Sequence, residues 1–204
     1  MELNFLSTIV IAIIGGVSGY YIPNLIKYIQ SKSKQILTYQ FDDNGSNGER
    51  RRIHHSFGAI VDDIDASNKR AWEHTTKRID AGHATCYGPY TKEISYRGKY
   101  KARFRIKAVG IINPNESIVV LDITHGELDK NGQSVILGLP LVERVILGKN
   151  LVNGKYKKFD VSFEYDGQSS IEFRCAVTNP ENFKKNVDRI LFDNVKIYRV
   201  SEFV

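Results

Sequence analysis

The stretch Lys99-Tyr-Lys-Ala-Arg-Phe-Arg-Ile-Lys-Ala-Val109 sorts its residues by parity. Tyr100, Ala102, Phe104 and Ile106 fall on one side, and Lys101, Arg103, Arg105 and Lys107 on the other. That period of two predicts a β-strand with one buried and one wet face, because a helix would scatter the same residues around its circumference. Working outward, further strands are predicted at 36–41, 117–123, 134–139, 156–165, 170–177 and 190–198. Turn-forming residues separate most of them: Asn113-Pro-Asn115, Asn131-Gly132, Asn153-Gly154, Asp166-Gly167 and Asn179-Pro180. No amphipathic helix of useful length lies between. The predicted fold class is all-β, an antiparallel β-sandwich (jelly roll), with one N-terminal transmembrane α-helix.

That helix is predicted from a different signal. From Leu3 to Ile26 there is no charged residue, and the middle of the run is almost wholly apolar or small. About 20 helical residues suffice to cross a ~30 Å hydrocarbon core. The residues before it, Met-Glu-Leu-Asn, lack the positive charge of a cleaved signal peptide, and no small-residue cleavage site follows. Tyr20 and Tyr21 suit the interfacial belt. Lys27, Lys32 and Lys34 lie just after the span, so the positive-inside rule keeps the following domain in the cytoplasm. The expected organisation is a transmembrane anchor at 1–26, a juxtamembrane segment at 27–35 and a β-sandwich domain at 36–204. The expected location is the cell membrane, single-pass. Gly15 and Gly19 form a GxxxG pair that permits close approach of two spans, and homo-oligomerisation through it is an expectation.

Composition narrows the function classes. With 42% hydrophobic residues and 25% charged ones, the chain of 204 residues has the material for a packed core and is not a disordered one. A net charge of +6 is mild, and no specific nucleic-acid partner is indicated. Cys86 and Cys175 have no metal or redox spacing and are expected to be reduced, packed thiols. Arg50, Arg51 and Arg52 end a Gly- and Asn-rich stretch and read as a solvated surface run.

Several stretches go beyond pattern: His55-Ser-Phe-Gly-Ala-Ile-Val-Asp-Asp-Ile-Asp-Ala-Ser-Asn-Lys-Arg-Ala-Trp72, then Cys86-Tyr-Gly-Pro-Tyr90, Gly98 to Lys107, Ile171-Glu-Phe-Arg-Cys175 and Phe192-Asp-Asn-Val-Lys-Ile197. Together, over roughly residues 36–200, they resemble the galactose-binding-domain-like jelly rolls, which include many carbohydrate-binding modules. The resemblance implies the same sandwich and a saccharide or glycosylated ligand. Candidate ligand-binding residues are Trp72, Tyr87, Tyr90 and Arg70, because aromatic faces cover the C–H faces of a pyranose while charged groups bond its hydroxyls. For Trp72 and Tyr90 core or edge packing is the commoner role and is weighed ahead of a binding one. Asp193 matches the closing-strand aspartate that helps hold a structural calcium ion in some relatives, although its usual partners near the domain start are not identifiable. No other cofactor is implied.

No catalytic constellation stands out. His54, His55, His74, His83 and His125 lack a metal-ligand spacing, and Asp62, Asp63 and Asp65 lie too close in sequence to flank a glycosidic bond. A non-enzymatic, membrane-anchored binding module is expected. The alternative is a sensor or effector subunit of a bacterial defence or signalling system, whose cytosolic β domain receives a small-molecule or protein signal. An exposed aromatic platform would favour the first.

Overall fold

The computed structural model describes residues 34–42, 53–75, 84–94, 96–128, 130, 134–136 and 138–200. The predicted anchor at 1–26, with Gly15 and Gly19, lies outside them, as do residues 27–33 and Arg50 to Arg52. Among the described residues no helix is long and apolar enough to cross a membrane. Lys34 and Gln35, expected in the juxtamembrane segment, already belong to the first strand.

In chain order the strands are β1 (Lys34–Gln40), β2 (His54–His55), β3 (Gly58–Asp62), β4 (Arg70–His74), β5 (Cys86–Tyr87), β6 (Pro89–Thr91), β7 (Gly98–Ile111), β8 (Ser117–Leu128), β9 (Ser134–Ile136), β10 (Val142–Leu147), β11 (Tyr156–Tyr165), β12 (Ile171–Val177) and β13 (Val187–Arg199). A single helical turn, α1 (Phe183–Asn186), precedes the last strand. Among the described residues these make two antiparallel sheets. One has six strands in the order β11-β7-β13-β4-β3, with β1 added to β13; the other has seven in the order β10-β8-β12-β5-β2, with β6 on β12 and β9 on β8.

The parity seen in the sequence is what packs the sandwich. Tyr100, Ala102, Phe104 and Ile106 of β7 are buried, as are Val119, Leu121 and Ile123 of β8 and Ile171, Phe173 and Cys175 of β12. They meet in one apolar cluster drawn from both sheets. Its aromatic pairs include Phe41 stacked on Phe104 at 6.4 Å and Tyr39 stacked on Phe173 at 6.2 Å. Cys86 and Cys175 face each other across the β5–β12 pairing as free, buried thiols. Burial pushes both well above the ordinary thiol range, which keeps them protonated and unreactive.

Strand β10 lies outside the predicted set. Its sequence, VERVIL, carries charge at successive positions, and only Ile146 is fully buried. Among the described residues it forms one edge of its sheet, and a charged inner residue such as Arg144 reaches the rim. The predicted strand at 134–139 is shorter, ending at Ile136.

Candidate binding face

The wet faces of the two sheets differ. On the six-stranded sheet, the outward Lys101, Arg103, Arg105 and Lys107 of β7 are each met by an opposite charge. Arg103 donates to both oxygens of Asp160 at 2.6 and 2.8 Å, directly across the β7–β11 pairing. Lys107 reaches Asp63 at 2.9 Å and Asp65 at 3.1 Å. Arg105 pairs with Asp193 and lies 4.1 Å from the centre of the Tyr156 ring. The guanidinium of Arg103 holds Asp160 below the usual carboxylate range, and Lys107, against the effect of burial, does the same for Asp63.

Asp193 sits in a bulge of β13, where the strand exchanges β4 for β1 as its neighbour. Its carboxylate is 0% exposed and accepts from Arg105, the Ser67 hydroxyl at 2.7 Å, the Ser67 amide and the Asn194 amide at 3.1 Å. A guanidinium already supplies the positive charge, so the donor set does not fit the structural calcium ion that the resemblance offers for this aspartate. Among the described residues no group of three acidic, His or Cys side chains could hold a metal. Asp193 instead pins the 63–69 loop to the sheet.

Arg70 belongs to the same structural neighbourhood. It pairs at 3.3 Å with buried Asp42, which also accepts both Asn68 contacts at 2.7 Å. Of the two readings of Trp72, contact ring or core packing, the structure shows the second. Trp72 is 8% exposed, stacks on His55 at 4.1 Å and donates its indole N–H to Thr85. Its place on β4 points the ring inward, and Gly58 on β3 leaves room for it: a Cβ there would lie 2.6 Å from the indole nitrogen.

Tyr87 and Tyr90 do come together, on the outward face of the seven-stranded sheet. Tyr87 stacks on His54 at 5.5 Å, and His54 meets Tyr90 edge-on at 5.4 Å. Tyr90 holds φ at 57°, a left-handed conformation that a bulky residue adopts only where its surroundings enforce it. Its ring runs beside Gly126 of β8; a Cβ on that glycine would lie 3.1 Å from Tyr90 Cε1 and 2.8 Å from Glu172 Oε2. Only a residue without a side chain leaves this floor open.

Register then places charge beside the rings. Glu143, Asp122 and Arg174 form one row across β10, β8 and β12, and Thr124 lies opposite Glu172 in the next. Arg174 donates to both oxygens of Asp122 at 2.5 and 3.0 Å. Burial nevertheless raises Asp122 above its ordinary value, with Arg174 opposing and Glu143 adding to the shift. Glu172 is 1% exposed, and the hydrogen-bonding neighbour of its carboxyl is the Tyr90 hydroxyl. Burial pushes its carboxyl up to about 7, the Arg174 charge opposing.

Of the candidates named from sequence, the face therefore holds Tyr87 and Tyr90, while Trp72, Arg70 and Asp193 lie elsewhere. His54, Asp122, Glu143, Glu172, Arg174 and Gly126 were not singled out as binding residues. The signal available for Glu172 and Arg174 was their outward parity within IEFRCAV; only pairing register sets Arg174 opposite Asp122.

No protein-family model and no curated protein matches the sequence. Among solved structures the chain is similar to the CBM22-1 xylan-binding domain of Paenibacillus barcinonensis Xyn10C, at TM-score 0.47 and 13% identity over 85% of this chain and 99% of that one. It is also similar to a carbohydrate-binding module of Cellvibrio mixtus lichenase 5A in complex with cellotriose, at 0.46 and 13% over 81% and 98%. A third likeness is to the CBM22-1-GH10 modules of Clostridium thermocellum xylanase 10B complexed with xylohexaose, at 0.47 and 12%, where the chain covers 85% of itself and 30% of that protein. At these identities the binding face is read from this chain's own residues.

Proposed function

We propose that the sandwich is a non-catalytic saccharide-binding module and that its ligand lies on the outward face of the seven-stranded sheet. One observation carries this reading: the Tyr87 and Tyr90 rings share that face with Glu172 and the Asp122–Arg174 pair. Apolar ring faces next to fixed acceptors and donors are what a pyranose requires, since it presents C–H faces and a fringe of hydroxyls. The uncharged run at 3–26 supports attachment to a membrane, and Lys27, Lys32 and Lys34 support a cytoplasmic module.

A glycan array probed with the full chain, in a detergent without a sugar head group, tests the function. Hits are expected, and Tyr87→Ala should weaken the best of them about tenfold, the cost of one stacking ring. A folded chain with no hit would remove the reading. For the topology, an active alkaline phosphatase fused after Val204 would overturn the cytoplasmic placement.

A further inference from the structure

Resting on the saccharide reading, we infer that this face selects sugars bearing free ammonium groups over neutral ones and rejects those bearing carboxylate or phosphate. Among the described residues three carboxylates, Asp122, Glu143 and Glu172, stand on it against the guanidinium of Arg174 and the imidazole of His54. The sign is opposite to the chain's net +6.

Arg174 cannot serve as an anion site, because both of its contacts go to Asp122, at 2.5 and 3.0 Å. A bidentate pair of this kind is fixed in orientation, and an incoming anion would have to displace Asp122 from it. Glu143 remains, exposed, opposite Asp122, and Glu172 remains buried next to the ring of Tyr90. The groups facing Glu172 are Arg174 on its own strand, Thr124 and Asp122 on β8 and Tyr90 on β6. Among these described groups Arg174 is the one permanent cation, and it is already paired; the His54 imidazole stands edge-on to the Tyr90 ring.

The buried Glu172 carboxyl has the neutral Tyr90 hydroxyl beside it and no cation of its own, and a carboxylate so supplied is costly to bury. A sugar hydroxyl can supply a further bond, and an ammonium supplies it with charge, which is the stronger of the two contacts. An ammonium also suits the faces of Tyr87 and Tyr90. The raised proton affinity of Glu172 adds a signature: an ammonium binding there draws the carboxyl into its ionised form, so binding near neutral pH should release a proton.

Three β-1,4-linked hexamers that differ only at C2 isolate the charge: cellohexaose, its 2-amino counterpart and the N-acetylated form of the latter. Titration calorimetry of the full chain is expected to give about tenfold tighter binding for the amino hexamer, with no binding of oligogalacturonate. In Glu172→Gln the ratio of amino to neutral affinity should fall towards one. Glu143→Gln, at an exposed position that does not challenge folding, should lower the same ratio in part. Equal affinities in the wild type, a ratio unmoved by both variants, or tight binding of oligogalacturonate would overturn the inference while leaving the saccharide reading intact. An array on which folded chain binds no sugar would remove both.

Discussion

The outward face of the six-stranded sheet and that of the seven-stranded sheet are built alike, from charged residues on alternate strand positions, yet they treat those charges differently. On β7, Arg103, Arg105 and Lys107 each meet a carboxylate supplied from elsewhere in the fold, Asp160, Asp193 and Asp63 with Asp65. Among the described residues of β8 and β12 the ion pair is Asp122 with Arg174, and Glu172 is shut away from water with the neutral Tyr90 hydroxyl, not a cation of its own, beside its carboxyl. Matched charges orient loops and strands. A buried carboxyl without a cation of its own destabilises the resting fold when it ionises, and a complex that supplied one would be stabilised.

Three measurements sharpen or break that comparison. The largest effect is expected from Arg105→Ala, which leaves the carboxylate of Asp193 buried without its cation. Urea unfolding, followed through the fluorescence of Trp72, should show a loss of about 4 kcal/mol, and saccharide affinity of the folded chain should not change. A loss below about 1 kcal/mol would mean that the matched face is not structural.

The next effect depends on pH. Glu172 has its folded value raised to about 7 from an ordinary 4.5, so its contribution is fully present below the ordinary value and is lost as pH rises through about 7. Up to about 3 kcal/mol of stability should disappear across that window, and Glu172→Gln should flatten the profile. The matched carboxylates Asp160 and Asp63 have the opposite sign. Their values are lowered, so their contribution is present above the ordinary carboxylate value and is lost as pH falls through the folded one. If the wild type and Glu172→Gln ran parallel between pH 4.5 and 7, the unmatched face would lose its distinguishing feature.

The smallest effect is expected from Gly126→Ala. The new methyl would crowd Glu172 and the Tyr90 ring, both of which can shift, so the melting temperature should move little. Saccharide binding should weaken about tenfold as the ring leaves its position. Unchanged affinity would place the ligand away from Tyr90.

The alternation within β7, β11 and β12 was legible because a strand's inner and outer faces are written two residues apart, whatever the strand pairs with. The same holds for most of the other long strands, for the thiols of Cys86 and Cys175 as core residues, and for Tyr87 and Tyr90 as neighbours, since only Gly88 and Pro89 separate them in the chain. Strand β10 escaped because an edge position relaxes the alternation. What the chain could not reveal alone was which far-apart residues meet. Trp72 looked available next to a loop, but its strand turns it against His55, 17 residues earlier in the chain. Asp193 looked like a cation ligand, but Arg105, 88 residues away, occupies its carboxylate. Asp122 and Arg174 are separated by 52 residues and paired by register, and that pairing uses up the guanidinium next to Glu172. Burial and inner or outer facing are local properties written in the order of residues; charge compensation is a property of pairs, and only the packed sheets decide which pairs exist.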